Sequence, residues 1–192
     1  MDRSYAVTDL KAAFSTLMAD LNHAADSAQK DDSQYARRVY VRSAFALIEG
    51  VSYAFRQVTL ASLKETGVLS IAETALLSES RFDLNRKGKP KETEQFLRFP
   101  ESLVFSLESY AKSHGATFEV DKSCRGWQFM QAATQVRNRV THPKSPESLE
   151  VTDDDKRAVV EAVAWWQELV AQLLKCCDKA DACFRGLSGE GS

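Results

Sequence analysis

The apolar residues of this chain recur at steps of three and four along almost its whole length, the spacing that stacks side chains on one face of an α-helix. Leu10, Phe14, Leu17, Leu21 and Ala24 form the first such stripe. It predicts an amphipathic helix, buried on one side, that ends near the polar stretch from Gln29 to Ser33. Val41, Ala44, Ile48, Val51, Phe55 and Val58 form a second, longer stripe, with Gly67 as its terminating residue. The opposite side carries Arg42, Glu49 and Arg56, the pattern of a solvated helix face, and Gly50 leaves room for close packing of a neighbouring helix.

Local signals punctuate the rest. Ser70 and Glu73 have capping-box spacing, so a short helix is expected to start at Ile71 and to be spent by about Ser80. Arg81 to Gln95 is rich in basic residues, contains Gly88 and Pro90 and has no apolar period, which reads as an exposed loop. Pro100 suits the first turn of a helix whose buried side is Leu103, Leu107 and Tyr110 and which Gly115 closes. Asp121 is the expected N-cap of a fifth helix, from about Lys122 to Thr141, with two adjacent stripes. Phe129, Ala133, Val136 and Val140 read as core. Trp127, Met130, Thr134, Arg137 and Thr141 are mixed in polarity and suit a cleft or a partner. His142-Pro143 ends this helix, because a residue before proline is pushed out of the α region. Thr152 and Asp155 then resemble a capping box for a last helix that buries Val159, Val163, Trp166, Val170 and Leu173, with Trp165 towards the rim.

These elements predict an all-α fold, an antiparallel bundle of about five to six helices. At 192 residues they make one domain, over 1–185, with a disordered tail over 186–192. Hydrophobic residues at 44% and charged residues at 27% fit a soluble globular protein. No apolar run approaches the ~20 residues of a membrane span, and the N-terminal residues lack the pattern of a signal peptide, so a cytoplasmic location is expected. The formal charge of −2 supplies no global field for nucleic acid or an anionic membrane, so any such partner must be met locally. The densest positive patch is Arg81, Arg86, Lys87, Lys89 and Lys91. Cys124, Cys176, Cys177 and Cys183 form neither a disulfide framework nor a CxxC pair, and a zinc site from the last three lacks a completing ligand. No metal or cofactor is expected. The sequence has no Walker A loop, HExxH or Gly-x-Ser-x-Gly elbow for ATPase, zinc-protease or esterase chemistry.

The residues that carry chemistry lie in VRNRVTHP, where Arg137, Asn138 and His142 fall within one and a half turns. Cleaving RNA without a metal requires a base for the 2′-hydroxyl proton, donors for the charge growing on the phosphate, and an acid for the leaving 5′-oxygen. Histidine, with an ordinary pKa of ~6.5, serves as base or acid, and arginine offers a planar fork matched to phosphate oxygens. On a straight helix Arg137 and His142 would diverge by about 140°, but the proline break frees His142 to turn back. Asn138, four residues before His142, is placed to hold the imidazole in one tautomer. The structural alternative is plain: Arg137 and Arg139 as solvated cations near a helix C-terminus, and His142 as a cap on its last carbonyls. Glu49 belongs either to the solvated face or to the cleft, orienting an arginine. Arg139, Lys144, Arg86, Lys87, Lys89 and Lys91 are candidate RNA contacts that orient rather than specify.

Arg137, a polar residue after it and His142 at a helix end resemble the motif of the HEPN superfamily, all-helical proteins that include metal-independent ribonucleases of toxin–antitoxin and phage-defence systems. The long second helix, FDLNRKGKPKETEQFL, THPKSPESLEV and the Trp-containing last helix extend this resemblance from about Arg37 to Leu174, towards bacterial HEPN-type proteins. The resemblance implies an endoribonuclease that leaves a 2′,3′-cyclic phosphate, working as a homodimer whose paired motifs line a shared cleft, with an antitoxin or regulatory protein as a further partner. The stripe of Trp127, Met130, Thr134 and Thr141 is then a candidate part of the two-fold interface. A non-catalytic module that binds nucleotide, RNA or protein is the alternative. Some HEPN toxins carry a modifiable tyrosine two positions after the histidine; here that position is Lys144.

Overall fold

Only Asp31 to Ser33 separate the first two helical stripes, which forces a tight reversal. In the computed structural model, which describes residues 2–64 and 66–189, α1 (Arg3–Lys30) and α2 (Gln34–Leu63) form a helical hairpin. Asp2 and Ser33 cap the two N-termini through their side chains. Gly50 packs against Leu17, the two being about equally far from the turn. A Cβ on Gly50 would stand 2.8 Å from Leu17 Cδ1, so its small size does serve close packing. α2 ends at Leu63 rather than at Gly67, whose φ of 72° places it in the turn that follows.

α2 is the central element. Leu47, Ile48, Val51 and Val58 have no exposed surface and Phe55 has almost none. Around it pack α4 (Glu101–Ser113), α5 (Arg125–Thr141) and α6 (Asp153–Gly189), which contribute Leu103, Leu107, Met130, Trp166 and Leu173 to the same core. Trp166 is fully buried and stacks on Phe14 with centroids 6.5 Å apart, while Trp165 remains at the rim, edge-on to Trp127. The described residues are predominantly helical, with six α-helices, so the all-α expectation holds. Both capping boxes form. Ser70 and Glu73 exchange backbone–side-chain bonds at the start of α3 (Ile71–Leu77). Thr152 and Asp155 do so at the start of α6. No described helix is long and apolar enough to cross a membrane.

Several expectations change. Arg81 to Gln95 is an antiparallel hairpin, β1 (Ser80–Leu84) and β2 (Pro90–Glu94), with Ser80 opposite Glu94 and Leu84 opposite Pro90. Its turn is built by the Asn85 side chain, which accepts from the backbone N–H groups of Lys87 and Lys89, and by Gly88 at φ 70°. α5 starts three residues later than expected, with Cys124 rather than Asp121 as N-cap; Asp121 instead accepts from Ser123. Pro100 is itself the cap residue of α4, and Gly115 follows its end. Trp127, Met130 and Thr134 are buried, so they are unavailable to a two-fold interface, whereas Phe129 of the supposed core stripe is only half-buried. α6 continues helical to Gly189, through the first part of the tail expected to be disordered; residues 190–192 lie outside the described residues.

Candidate functional site

The end of α5 meets the middle of α2 at a solvent-open cleft of about 760 Å³, closed on its other side by Glu79, by the segment from Phe96 to Phe99 and by Ser102 of α4. Arg137, on the last full turn of α5, reaches across to α2. Its Nη2 lies 2.6 and 2.7 Å from the two carboxylate oxygens of Glu49. Glu49 therefore pairs with Arg137 in the cleft rather than standing on a solvated face. Arg137 also donates from Nη1 to Asn138 Oδ1 at 3.1 Å. That bond turns the Asn138 amide oxygen to the arginine, and Asn138 makes no side-chain hydrogen bond to the imidazole among the described residues.

His142 is the C-cap of α5. Its backbone N–H donates to the Asn138 carbonyl at 2.9 Å, and its φ of −125° and ψ of 65° take the chain off the helix before Pro143. The exposed side chain then lines the same cleft as Arg137 and Asn138. The turn away from helical geometry thus brings together two residues that a straight helix would hold apart. Arg42, exposed about two turns before Glu49 on α2, donates to the Val140 carbonyl at 3.3 Å and helps satisfy this helix end.

A second arginine underlies the cleft. Arg56, expected on a solvated face, is only 4% exposed. It donates to Ser106 Oγ at 2.8 Å and pairs with Glu79 Oε1 at 2.5 Å. The reason is tertiary: Glu79 supplies a counter-charge from 23 residues away, which makes burial of the guanidinium tolerable. Burial still pushes the Arg56 pKa down, with Glu79 and Tyr53 opposing that shift. The guanidinium also lies 5.5 Å from the centre of the Tyr53 ring. Glu79 adopts φ 51°, the left-handed region, and its carbonyl accepts from Gln95 N–H at 2.7 Å, which closes the base of the hairpin.

The other expected contacts separate. Arg139, two positions after Arg137, points about 200° away around the helix. It donates to the Ser148 carbonyl at 3.2 Å, to the Glu150 carbonyl and to Asp155, and so ties the 3-10 turn Pro146–Leu149 to the start of α6. Burial resists ionisation of Asp155, but the bonds from Arg139 and Thr152 outweigh it and the pKa falls. Lys144 is exposed outside the cleft lining. Arg86, Lys87, Lys89 and Lys91 are exposed on the hairpin, whose tip stands about 17 Å from its base at ~3.3 Å per residue. None of them lines the cleft.

Ser52, Tyr53, Glu79, Phe96, Arg98 and Ser102 also line the cleft without having been expected to, and Arg56 lies beneath it rather than on a solvated face. The alternation of aromatic and basic residues in QFLRFP was the one available signal, whereas nothing local marks Glu79. Arg98 is the one cleft arginine without a carboxylate partner among the described residues. Among the described residues no cluster of three or more His, Cys, Asp or Glu side chains is arranged to hold a metal. The cleft therefore offers a solvent-accessible imidazole, an oriented guanidinium and an unpaired one, groups suited to binding and activating a phosphodiester. Comparison with protein-family models, with curated proteins and with solved structures found no match.

Proposed function

We propose that this protein is a metal-independent endoribonuclease of the HEPN type, with a role in toxin–antitoxin or phage-defence systems. The observation that carries this reading is the convergence of Arg137 and His142, five residues apart in the sequence, on one open cleft that also holds Arg98. In the proposed reaction the 2′-oxygen of a ribose attacks the adjacent phosphorus, its proton passing to an unprotonated imidazole. The P–O5′ bond breaks, and a protonated imidazole delivers a proton to the departing 5′-oxygen. The products are a 2′,3′-cyclic phosphate and a 5′-hydroxyl. Arg137, held by Glu49, stabilises the charge that builds on the non-bridging oxygens.

One cleft contains one histidine, while the reaction uses a base and an acid. A two-fold dimer that brings two clefts together supplies both, and we propose that the active form is a homodimer. Its interface lies outside the buried part of the Trp127, Met130 and Thr134 stripe. Asn138, bonded to Arg137, acts in this scheme on the arginine rather than on the imidazole.

The test is incubation of RNA with wild-type protein and with His142→Ala in EDTA, followed by mapping of the new ends. Cyclic-phosphate ends from the wild type alone are expected. RNA left intact by pure, antitoxin-free wild type, or cut equally by His142→Ala, would overturn the proposal and leave a binding module.

A further inference from the structure

We infer that Phe96, Tyr53 and Arg98 form a nucleotide-binding subsite beside the proposed cleavage point, which selects an unpaired base; this rests on the cleavage reading only in taking RNA as the ligand. Phe96 is 87% exposed, a large apolar surface left in water at the edge of a charged cleft, where burial in the protein's own core would have been the favourable use of a phenyl ring. Tyr53 is 47% exposed and lines the same cleft from α2. Burial alternates along the connecting segment: Phe96 and Arg98 are exposed, Gln95, Leu97 and Phe99 half-buried. Phe96 and Arg98, two positions apart, are thus the exposed members of this segment, and both line the cleft.

Arg56 and Arg137 face Glu79 and Glu49, so an incoming phosphate must compete with a carboxylate at either of them. Arg98 has no such competitor among the described residues and lies in the same lining. A guanidinium for the backbone and two aromatic rings for a base face are the elements that bind single strands, whereas a base inside a duplex cannot reach a ring in a cleft. The cleft volume, about 760 Å³, falls within the range that takes a ligand the size of a nucleotide.

The experiment measures binding rather than turnover. A labelled short single-stranded RNA, and the same strand annealed to its complement, are titrated by fluorescence anisotropy against full-length His142→Ala, alone and combined with Phe96→Ala, Phe96→Trp or Arg98→Ala. The single strand is expected to bind at least about tenfold more tightly than the duplex, and Phe96→Ala to lose roughly tenfold while Phe96→Trp retains affinity. Arg98→Ala is expected to lower the slope of log K against log salt by about 1. Unchanged binding in Phe96→Ala, no binding by the parent, or equal binding of duplex and single strand would overturn the subsite. If Phe96→Ala weakens binding while the protein with His142 intact leaves RNA uncut, the subsite stands and the cleavage reading falls; cleavage with no effect of Phe96→Ala on binding gives the reverse.

Discussion

Arg137 and Arg139 stand two residues apart on one helix and lead opposite lives. Arg139 belongs to a closed region where the turn between α1 and α2, the 3-10 turn and the start of α6 are sewn together. There Arg37 binds Asp32, Asp153 and the Val151 carbonyl, and Lys156 joins Asp32 at 2.8 Å. The bonds from Arg37 and Lys156 hold the Asp32 carboxyl well below the usual carboxylate range. Nearly every donor in that region ends on a carbonyl or a carboxylate of the fold. Around Arg137 the cleft stays open to solvent, Arg98 has no counter-ion among the described residues, and Phe96 faces water. The two arginines are distinguished by what their donors touch, two backbone carbonyls and a carboxylate for Arg139 against a carboxylate and a side-chain amide for Arg137, since residue type is the same in both.

Substitutions can break this comparison, and the largest stability effect is expected at the floor of the cleft. Arg56→Met removes the buried partner of Glu79 and should lower stability by about 3 kcal/mol in chemical denaturation. A loss below about 1 kcal/mol would show that Glu79 finds water at no cost. Arg139→Ala should follow at about 2 kcal/mol, because it forfeits an ion pair and two bonds to carbonyls, and its melting temperature should fall by about 4–8 °C. Arg137→Ala, which forfeits a carboxylate pair but no bond to a backbone carbonyl, should melt within about 2 °C of wild type. Equal losses in these two variants would erase the distinction between the regions.

Gly126→Ala sharpens the same contrast from the far end of α5. A Cβ there would stand 2.0 Å from Trp165 Cδ1, so the indole must shift. A destabilisation of about 1–2 kcal/mol is expected, with RNA cleavage unaltered at a temperature where the variant is folded. The smallest effect concerns Glu73, whose bonds to Lys112 and to Ser70 bring its pKa down to about 2. Its folded pKa lies below the unfolded one, so its contribution is complete above about pH 5 and is lost as pH falls towards 2. Glu73→Gln should therefore narrow the stability difference between pH 6 and pH 3 in paired denaturant titrations.

The helices were legible because their stripes bury, and the boxes at Ser70 and Thr152 because capping chemistry is local. The hairpin was not, since Phe82 and Leu84 are 61% and 75% exposed and leave no inward–outward alternation in apolar residues to read. Of the residues that line the cleft, Arg137, Asn138 and His142 were singled out by residue type and spacing, and Glu49 only as the alternative to a solvated face. Arg56 was misread because periodicity measures only a helix's own faces and is blind to Glu79 arriving from another element. Tyr53, Phe96 and Arg98 were missed for the same reason: two segments of the chain must meet before either has a role.

The account stands or falls on what Arg137 does that Arg139 does not. Its most direct test is the cleavage rate on a short single-stranded RNA in EDTA for wild type, Arg137→Ala and Arg139→Ala, compared at equal folded fraction. The account predicts a loss of at least about 100-fold for Arg137→Ala and a rate within about threefold of wild type for Arg139→Ala. Equal rates in the two variants, or an unimpaired Arg137→Ala, would contradict it.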